Sequence, residues 1–234
     1  ASVVLACRNA VKADDARRRL LAVVPGADVE VRRLDLADLD SVRGFADTVL
    51  ADGRLDLLVN NAGLMAVDES RTAQGVEMQF GVNHLGHFAL TARLLPVLLA
   101  TPGSRVASMT SMGHRAARGE PDPLLARPYD RWQAYFRSKL ANLHFTAELD
   151  RRLRASGAAV LAVAAHPGGS RTDLGTEGSG TTNRLMRGLG PFVTQTAEAG
   201  ARPMLRALTD PGLTGGELLG PRFLVRGRRP VVET

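Results

Sequence analysis

Short aliphatic runs alternate with longer helical patterns through almost the whole chain, and this alternation constrains its fold more than any other feature. Aliphatic runs without a polar face are typical of strands in a parallel sheet that helices cover on both sides. The pattern therefore predicts a doubly wound α/β fold of three layers, with a parallel sheet in the middle. We predict strands at residues 2–6, 29–33, 55–59, 105–109, 159–165 and 223–226. The predicted helices are residues 12–23, 40–51, 75–100, 130–155 and 198–208.

Length and composition exclude several classes of protein. The 234 residues suffice for one α/β domain, and no repeat or charged linker divides them, so we expect a single domain over residues 1–234. The net charge of +6 comes from scattered arginines without interleaved aromatic residues, which argues against a nucleic-acid partner. Cys7 is the only cysteine, and His84 and His87 lack a third ligand. We therefore predict neither a disulfide nor a metal site, and we interpret both histidines as packing or hydrogen-bonding residues.

The hydropathy of the chain gives no sign of a membrane segment. The longest apolar candidate, residues 88–100, is interrupted by Arg93 and Pro96. No run reaches the length that spans a bilayer, and the sequence shows no secretory signal. We therefore expect a cytoplasmic protein without a membrane span.

Polar and glycine-containing motifs follow three of the predicted strands. Asn60-Asn61-Ala62-Gly63 follows the third strand, Thr110-Ser111 the fourth, and Pro167-Gly168 the fifth. Ligands of a doubly wound sheet bind in the crevice outside the carboxyl ends of the strands. Each motif alone has an ordinary explanation, as a turn, a helix cap or a loop. Their recurrence at one edge of the sheet favours a ligand site there.

Tyr135 and Lys139 stand four residues apart on a predicted helix, and Lys139 is one of only two lysines in an arginine-rich chain. Positions i and i+4 share a helix face, so the phenol and the ammonium would project into one pocket. Unlike arginine, a lysine can titrate and can change the proton affinity of a nearby phenol. The pair is suited to proton transfer to a carbonyl oxygen, although Tyr-x-x-x-Lys also arises by accidental spacing.

These motifs in this order resemble the signature of the short-chain dehydrogenase/reductase family over nearly the whole chain. The matching motifs are Asn60-Asn61-Ala62-Gly63, Asn83, Ser111, Tyr135-x-x-x-Lys139 and Pro167-Gly168-x-x-x-Thr172. Residues 82–88 and 138–142 are similar to the branch that contains retinol dehydrogenases and protochlorophyllide-reductase-like enzymes. The resemblance implies a Rossmann-like fold. It also implies an oxidoreductase that transfers hydride between a nicotinamide cofactor and a hydrophobic carbonyl or alcohol substrate.

The resemblance also implies a role for each catalytic residue. Tyr135 would be the general acid in reduction and the general base in oxidation, and Ser111 would hydrogen-bond the substrate oxygen. Lys139 would hold the nicotinamide ribose and lower the pKa of the phenol. Asn83 would fix its helix and a water that relays protons through Lys139. Ser108 and Thr110 also carry hydroxyls, but Ser111 matches the second hydroxyl of the family pair.

Cofactor choice depends on Arg8, because an arginine at the end of this strand accommodates a ribose 2′-phosphate and an acid there binds the 2′-hydroxyl. No acid occurs before Asp14, so we expect NADP and consider NAD less suited to the site. The resemblance further assigns residues beside the adenine and the nicotinamide. The full expected cofactor-binding set is Arg8, Asp35, Leu36, Asn61, Ala62, Gly63, Tyr135, Lys139, Pro167, Gly168, Ser170 and Thr172.

The chain departs from the family pattern in one respect. The family begins with a strand and a glycine-rich turn that binds the pyrophosphate, whereas Ala1 lies in what matches the second strand. The first βα unit is thus missing from these residues, and the sheet is expected to lack a central strand. The late glycines Gly175, Gly178 and Gly180 lack a strand-turn-helix setting, so we interpret them as part of a loop.

Two classes of function stay open at this point. An NADP-dependent carbonyl reductase or alcohol dehydrogenase predicts a glycine-rich turn just upstream of Ala1. A cofactor-free or inactive relative, acting as a binding or regulatory module, predicts a degenerate segment there. Residues 171–191 are expected to form a flexible substrate loop with an apolar side, which fits a hydrophobic small-molecule substrate. The resemblance also suggests a homodimer or homotetramer through the two long helices.

Overall fold

The computed structural model of the protein describes residues 1–169, 179, 196–223 and 226–233. It confirms the predicted α/β fold with a parallel sheet and flanking helices. The strands are β1 Ser2–Cys7, β2 Asp28–Arg33, β3 Leu57–Asn60, β4 Arg105–Met109, β5 Leu161–Ala165, β6 Leu218–Phe223 and β7 Arg226–Glu233. The helices are α1 Ala10–Val23, α2 Leu39–Ala51, α3 Met78–Phe80, α4 Gly86–Ala100, α5 Arg131–Ala155 and α6 Ala197–Thr209. A π-helical turn covers Gly81–Leu85, and a 3₁₀ turn covers Met112–Ala116.

Side-chain caps determine where the longer helices begin. Asn9, Asp38, Asp130 and Thr196 each accept a hydrogen bond from a backbone N–H in the first turn of α1, α2, α5 and α6, respectively. These bonds satisfy N–H groups that have no partner inside a helix. Asp130 accepts from the amides two and three residues ahead, at 2.9 and 3.0 Å. This cap sets the start of α5, the helix that carries Tyr135.

The strands form two separate sheets. β1 pairs with β2 in parallel, and the second sheet has the order β3-β4-β5-β6-β7. The pairs β3-β4, β4-β5 and β5-β6 are parallel, so the carboxyl ends of β3, β4 and β5 lie at the same edge. This edge is where the polar motifs of the sequence meet.

The sheet is interrupted between β1 and β3. In the strand order of a Rossmann fold, the family's first strand lies between the strands that correspond to these two. Val3 and Val4 on β1, and Leu57 and Val59 on β3, are all at least 36% exposed. The interruption agrees with the expectation that a central strand is missing from the residues of this chain.

The predicted last strand, residues 223–226, is wrong. Phe223 ends β6 and Arg226 begins β7, and the two strands pair antiparallel from Leu218↔Glu233 onwards. Pro221 and Pro230 face each other in this pair. Proline and charged residues are typical of edge strands rather than of the apolar runs that mark a central parallel strand. The search for aliphatic runs therefore missed the hairpin.

The predicted long helix at residues 75–100 begins later and is not uniform. Its first turn starts at Met78, because the Glu77 side chain accepts hydrogen bonds from the next free amides. The π-helical turn then inserts before α4. Such turns carry one extra residue and are frequent at functional sites. Periodicity of apolar residues does not distinguish this insertion from a regular helix.

Apolar clusters lie on both faces of the sheet. Val106 belongs to the cluster beneath α2 and α4, whereas its neighbour Ala107 belongs to the cluster beneath α6. Successive residues of a strand point to opposite faces, so helices cover both sides of β4 as predicted. Within the described ranges, no helix combines the length and apolarity that crossing a bilayer requires.

Candidate active site

One face of α5 collects the candidate catalytic residues. Tyr135, Ser138, Lys139 and Asn142 are all buried, and their spacing of three and four residues places them on one helix face. This face packs against the π-helical turn, the 3₁₀ turn and β4. The helix therefore places the Tyr135 phenol and the Lys139 ammonium near the carboxyl ends of the strands.

The phenol of Tyr135 is buried and hydrogen-bonded to Ser111. Burial raises the pKa of Tyr135, and the hydrogen bond from Ser111 opposes this rise. The direction is opposite to the lowering expected from Lys139. Removal from water disfavours the phenolate, and the Lys139 Nζ lies 5.9 Å from the centroid of the Tyr135 ring. The phenol is thus held in its protonated form, ready to donate.

The ammonium of Lys139 is 2% exposed. Its described hydrogen bond is to the carbonyl oxygen of Met109, at 3.3 Å. Burial lowers the pKa of Lys139 from 10.5 to about 8, because the low-dielectric surroundings penalise the charged form. A lysine with this pKa exchanges its proton within the physiological range of pH.

The side chain of Asn83 connects two segments of the site. Its Oδ1 accepts from the backbone N–H of Leu64 at 2.7 Å, and its Nδ2 donates to the Leu64 carbonyl and to Ser138 Oγ, each at 2.9 Å. The carbonyl oxygen of Asn83 accepts from Asn142 Nδ2 at 3.0 Å. Asn83 thus holds the segment after Gly63 against α5. The proton relay that the resemblance implies stays a prediction.

Replacing Asn83 with Ala is expected to destabilise the fold by about 2–4 kcal/mol, because buried polar groups of Leu64 and Ser138 lose their partner. Urea unfolding measures this change. The matched control is Asn61→Ala, which removes an exposed amide from the neighbouring loop and is expected to cost less than about 0.5 kcal/mol. Equal costs for the two variants would contradict the assigned contacts.

The three hydroxyls near the end of β4 have different partners. Ser108 is buried within β4, and the Thr110 hydroxyl donates to the backbone carbonyl of Lys139 at 2.8 Å. Ser111 Oγ accepts from the Gly113 amide at 3.1 Å and contacts the Tyr135 phenol. Of the three, Ser111 is therefore the hydroxyl placed beside the general acid that the resemblance implies.

The histidines act as structural hydrogen-bonding residues, as interpreted from the sequence. His84 Nδ1 lies 3.1 Å from Asn142 Oδ1, and His87 Nδ1 lies 3.1 Å from the Asn83 carbonyl oxygen. Burial lowers the pKa of His87 to about 4, so its ring stays neutral and donates to that carbonyl. Both rings support the π-helical turn that carries Asn83.

The loop after β3 approaches the catalytic residues closely. A Cβ atom on Gly63 would lie 3.2 Å from both Asn83 Oδ1 and Lys139 Nζ. Asn61 and Ala62 are exposed beside it. A glycine here therefore lets the loop after β3 approach Asn83 and Lys139 closely.

The other expected cofactor residues that the structure describes follow β1, β2 and β5. Arg8 is exposed directly after β1, and in the described part of the chain no side chain pairs with it. Asp35 Oδ1 accepts from the Ala37 amide at 2.9 Å, and Leu36 is buried. Gly168 follows β5 with a φ of +64°, a conformation that favours glycine. Ser170 and Thr172, like most of the predicted substrate loop at 171–191, lie outside the described residues.

The described residues fit a nicotinamide cofactor. The Gly63 backbone lies close to the buried Lys139 ammonium, and Arg8 is exposed at the end of β1 without a side-chain partner among the described residues. Lys139 would hold the ribose, and Arg8 would face the 2′-phosphate. A cation at the nicotinamide ribose and another at the 2′-phosphate would suit a phosphorylated dinucleotide.

Sequence reasoning gave no role to the supporting polar residues of the site, although Thr110 and residues 138–142 belong to motifs that it noted. Asn142 donates to the carbonyls of Asn83 and Met109, both at 3.0 Å, and so joins α5 to the π-helical turn and to β4. Thr110 and Ser138 complete the network. The signal for Asn142 and Ser138 was their spacing from Tyr135 and Lys139 along one helix face.

Comparisons with known proteins agree with this geometry. The family model for short chain dehydrogenase matches residues 1–182. Retinol dehydrogenase 11 from Mus musculus is 42% identical over 212 residues, which cover 90% of this chain and 66% of that protein. Retinol dehydrogenase 13 from Homo sapiens is 44% identical over 177 residues, covering 74% of this chain and 53% of that protein. The chain thus spans between 53% and 66% of the length of these two relatives.

Solved structures share the fold. A crystal structure of an uncharacterized protein from Mycobacterium paratuberculosis has a TM-score of 0.78 and 42% identity, covering 100% of this chain and 75% of that chain. A short chain dehydrogenase from Burkholderia cenocepacia, solved in complex with NADP, has a TM-score of 0.69 and 21% identity, covering 94% and 85%. The chain therefore belongs to the short-chain dehydrogenase/reductase family, in the branch that contains the retinol dehydrogenases.

Proposed function

We propose that the chain carries the proton-transfer site of an NADP-dependent oxidoreductase, which interconverts a hydrophobic alcohol and its carbonyl compound. The observation that carries this proposal is the buried Tyr135 phenol, hydrogen-bonded to Ser111 and near the buried ammonium of Lys139. The relatives named retinol dehydrogenases support a lipophilic alcohol or aldehyde as the substrate.

The chain's own residues supply the proton and stabilise charge. When bound, the nicotinamide cofactor donates the hydride in reduction and accepts it in oxidation. In reduction, Tyr135 Oη gives its proton to the substrate oxygen, and the Ser111 hydroxyl hydrogen-bonds the same oxygen as negative charge develops there. Lys139 stabilises the phenolate that remains. In oxidation, Tyr135 takes the proton from the alcohol.

The test is turnover with NADPH on a series of hydrophobic aldehydes and ketones. The reaction is monitored as the loss of NADPH absorbance at the nicotinamide band. We expect activity with NADPH and weaker activity with NADH. Protein that binds NADPH and yet reduces none of these substrates would instead support an inactive relative that serves as a binding or regulatory module.

Replacing Arg8 with Ala is expected to raise the KM for NADPH by about tenfold to a hundredfold, because a charge-assisted pair with the 2′-phosphate is lost. The KM for NADH should change by less than about threefold, since NADH has no 2′-phosphate. Steady-state kinetics with both cofactors measure the difference. Arg19→Ala is the matched control, because it removes an exposed arginine that pairs with Asp15 on α1. Equal effects on NADPH and NADH would refute the assignment of Arg8.

A homo-oligomer through the long helices stays a prediction. Phe88 on α4 is 47% exposed, and its ring packs 5.5 Å from the ring of Phe145 on α5. An apolar groove of about 640 Å³ runs between the two helices here, with Leu95 and Leu149 in its wall. Covering this groove with the same surface of a second copy would remove apolar area from water.

A further inference from the structure

A buried carboxylate from the last described strand joins two loops of the active site. Glu233 lies on β7. Its Oε1 is 2.5 Å from His166 Nε2, and its Oε2 is 2.9 Å from an Arg115 guanidinium nitrogen. The side chains of His166 and Glu233 are 0% and 7% exposed. His166 directly follows β5, and Arg115 lies in the 3₁₀ turn that follows Ser111. The carboxylate therefore bridges the loops after two neighbouring strands.

The hydrogen bonds determine the tautomer of His166. The backbone N–H of Gly168 donates to His166 Nδ1 at 3.1 Å, so Nδ1 carries no proton. Nε2 then carries the proton and donates it to Glu233 Oε1. Because Glu233 accepts the proton on Nε2, Nδ1 stays unprotonated and accepts the hydrogen bond from the Gly168 amide. Gly168 belongs to the loop that the family resemblance places against the nicotinamide.

The second carboxylate oxygen of Glu233 contacts the turn that follows Ser111. Arg115 pairs with Glu233 Oε2, and the neighbouring His114 has its Nδ1 2.6 Å from the Ser111 carbonyl oxygen. The 3₁₀ turn between Ser111 and Arg115 is thereby held at both ends. One carboxylate thus contacts both the turn that follows Ser111 and the histidine that accepts from the Gly168 amide.

The fold leaves room for this bridge at one glycine. A Cβ atom on Gly220 of β6 would lie 2.9 Å from His166 Cε1 and closer still to His166 Nε2 and Glu233 Oε1. Any other residue at this position would displace the histidine or the carboxylate. The close approach of β6 is therefore part of the same arrangement.

We infer that Glu233 is a positioning residue of the active site, which holds the Pro167–Gly168 loop through His166 and the Ser111 loop through Arg115. Its effect on catalysis rests on the proposed function, whereas its hold on the Gly168 amide does not. Glu233 does not contact Tyr135 or Lys139 among the described hydrogen bonds, so it acts by placing the loops rather than by moving a proton.

Hydrogen exchange of the Gly168 amide in the ligand-free protein tests the contact of Glu233 with His166. Glu233→Ala is expected to speed this exchange by about tenfold or more, because His166 Nδ1 is no longer kept as an acceptor. Glu233→Gln keeps an acceptor for His166 and presents an NH₂ to Arg115, so it should exchange at nearly the wild-type rate. If Glu233→Ala does not fold, His166→Gln, which removes the Nδ1 acceptor, is expected to give the same fast exchange.

Kinetics with NADPH then distinguish the contact of Glu233 with His166 from its contact with Arg115. Glu233→Ala is expected to raise the KM for NADPH and to lower kcat by about tenfold each, since both loops move. Glu233→Gln should restore the KM to within about threefold of wild type while kcat stays low, because only the Arg115 contact is lost. The matched control is Arg206→Ala, which removes the bond of 2.6 Å from α6 to the Pro230 carbonyl of β7 and leaves the bridge intact.

Two outcomes would overturn the inference. One is an unchanged exchange rate of Gly168 in Glu233→Ala, or in His166→Gln if that variant replaces it. The other is an equal effect of Arg206→Ala, which would mean that any loosening of β7 has the same result. Wild-type protein without NADPH turnover would refute the proposed function alone, because the exchange rates report on Glu233 without a cofactor.

Discussion

Tyr135→Phe is expected to lower kcat for NADPH-dependent carbonyl reduction by about 10²–10⁴-fold, which is the usual contribution of a general acid. The substitution removes one oxygen from a ring that is 3% exposed, so the packing around it is retained. Ser111, the partner of the phenol, keeps its bond to the Gly113 amide. The loss should therefore appear in kcat, while NADPH affinity stays within about threefold of wild type.

The other tyrosine of the chain provides a matched control. The Tyr129 hydroxyl donates to the Val67 carbonyl at 3.0 Å and accepts from Gln79 Nε2 at 2.7 Å. Tyr129→Phe therefore removes the same atom from a structural position, and we expect a cost in stability of about 1 kcal/mol with little change in kcat. Steady-state kinetics and thermal unfolding of both variants measure the contrast. A Tyr135→Phe enzyme that keeps more than about a tenth of the wild-type kcat would show that another group donates the proton.

Lys139→Met is expected to abolish activity and yet to stabilise the fold at neutral pH. Keeping a buried lysine charged costs free energy, and a pKa lowered from 10.5 to about 8 corresponds to roughly 3 kcal/mol. Methionine fills a similar volume without a charge. The free energy of unfolding at pH 7 should therefore rise by about 2–3 kcal/mol, provided that the packing is kept.

The pH dependence of this gain distinguishes it from a general packing effect. Below pH 8, the folded and unfolded states of the wild type both bind the proton, and the full penalty is present. Between pH 8 and 10.5 the unfolded state binds more protons, so wild-type stability rises with pH relative to the variant. Above pH 10.5 both states are neutral at this position, and the advantage of methionine disappears.

The second lysine of the chain serves as the control for this prediction. Lys12 is exposed on α1, and Lys12→Met removes the same charge without relieving any burial. Its effect on stability is expected to stay within about 0.5 kcal/mol at every pH. Chemical unfolding from pH 7 to 10.5 compares the three proteins. Equal stabilities of wild type and Lys139→Met at pH 7 would contradict the burial of a charged Lys139.

The sequence predicted the parts of the fold that depend on local periodicity. Strand 105–109 was predicted at its observed bounds, and the helix at residues 130–155 differs from α5 by a single residue at its start. Aliphatic runs and helical spacing repeat within a few residues, so they can be read without knowing the contacts of the chain. The β6-β7 hairpin was missed, because an edge strand with prolines and arginines has no such pattern.

The candidate site likewise has features that local spacing predicts and features that depend on contacts between distant residues. The pairing of Tyr135 with Lys139 follows from helical spacing, and their shared burial on α5 agrees with it. The contacts of Asn83 with Leu64 and Ser138 join residues 19 and 55 positions apart, which spacing cannot indicate. The direction of the Tyr135 pKa depends on burial by distant segments, and for that reason it was predicted wrongly.

By itself, the sequence determined the α/β class, the order of most elements, and the family to which the chain belongs, because these depend on local pattern and on residue identity. Only the tertiary structure decided that burial raises the pKa of Tyr135 and how far burial lowers the pKa of Lys139. It alone also showed that Glu233, 67 residues after His166, reaches back to the site. Desolvation and long-range hydrogen bonds arise only when distant segments pack together, so no local pattern in the sequence encodes them.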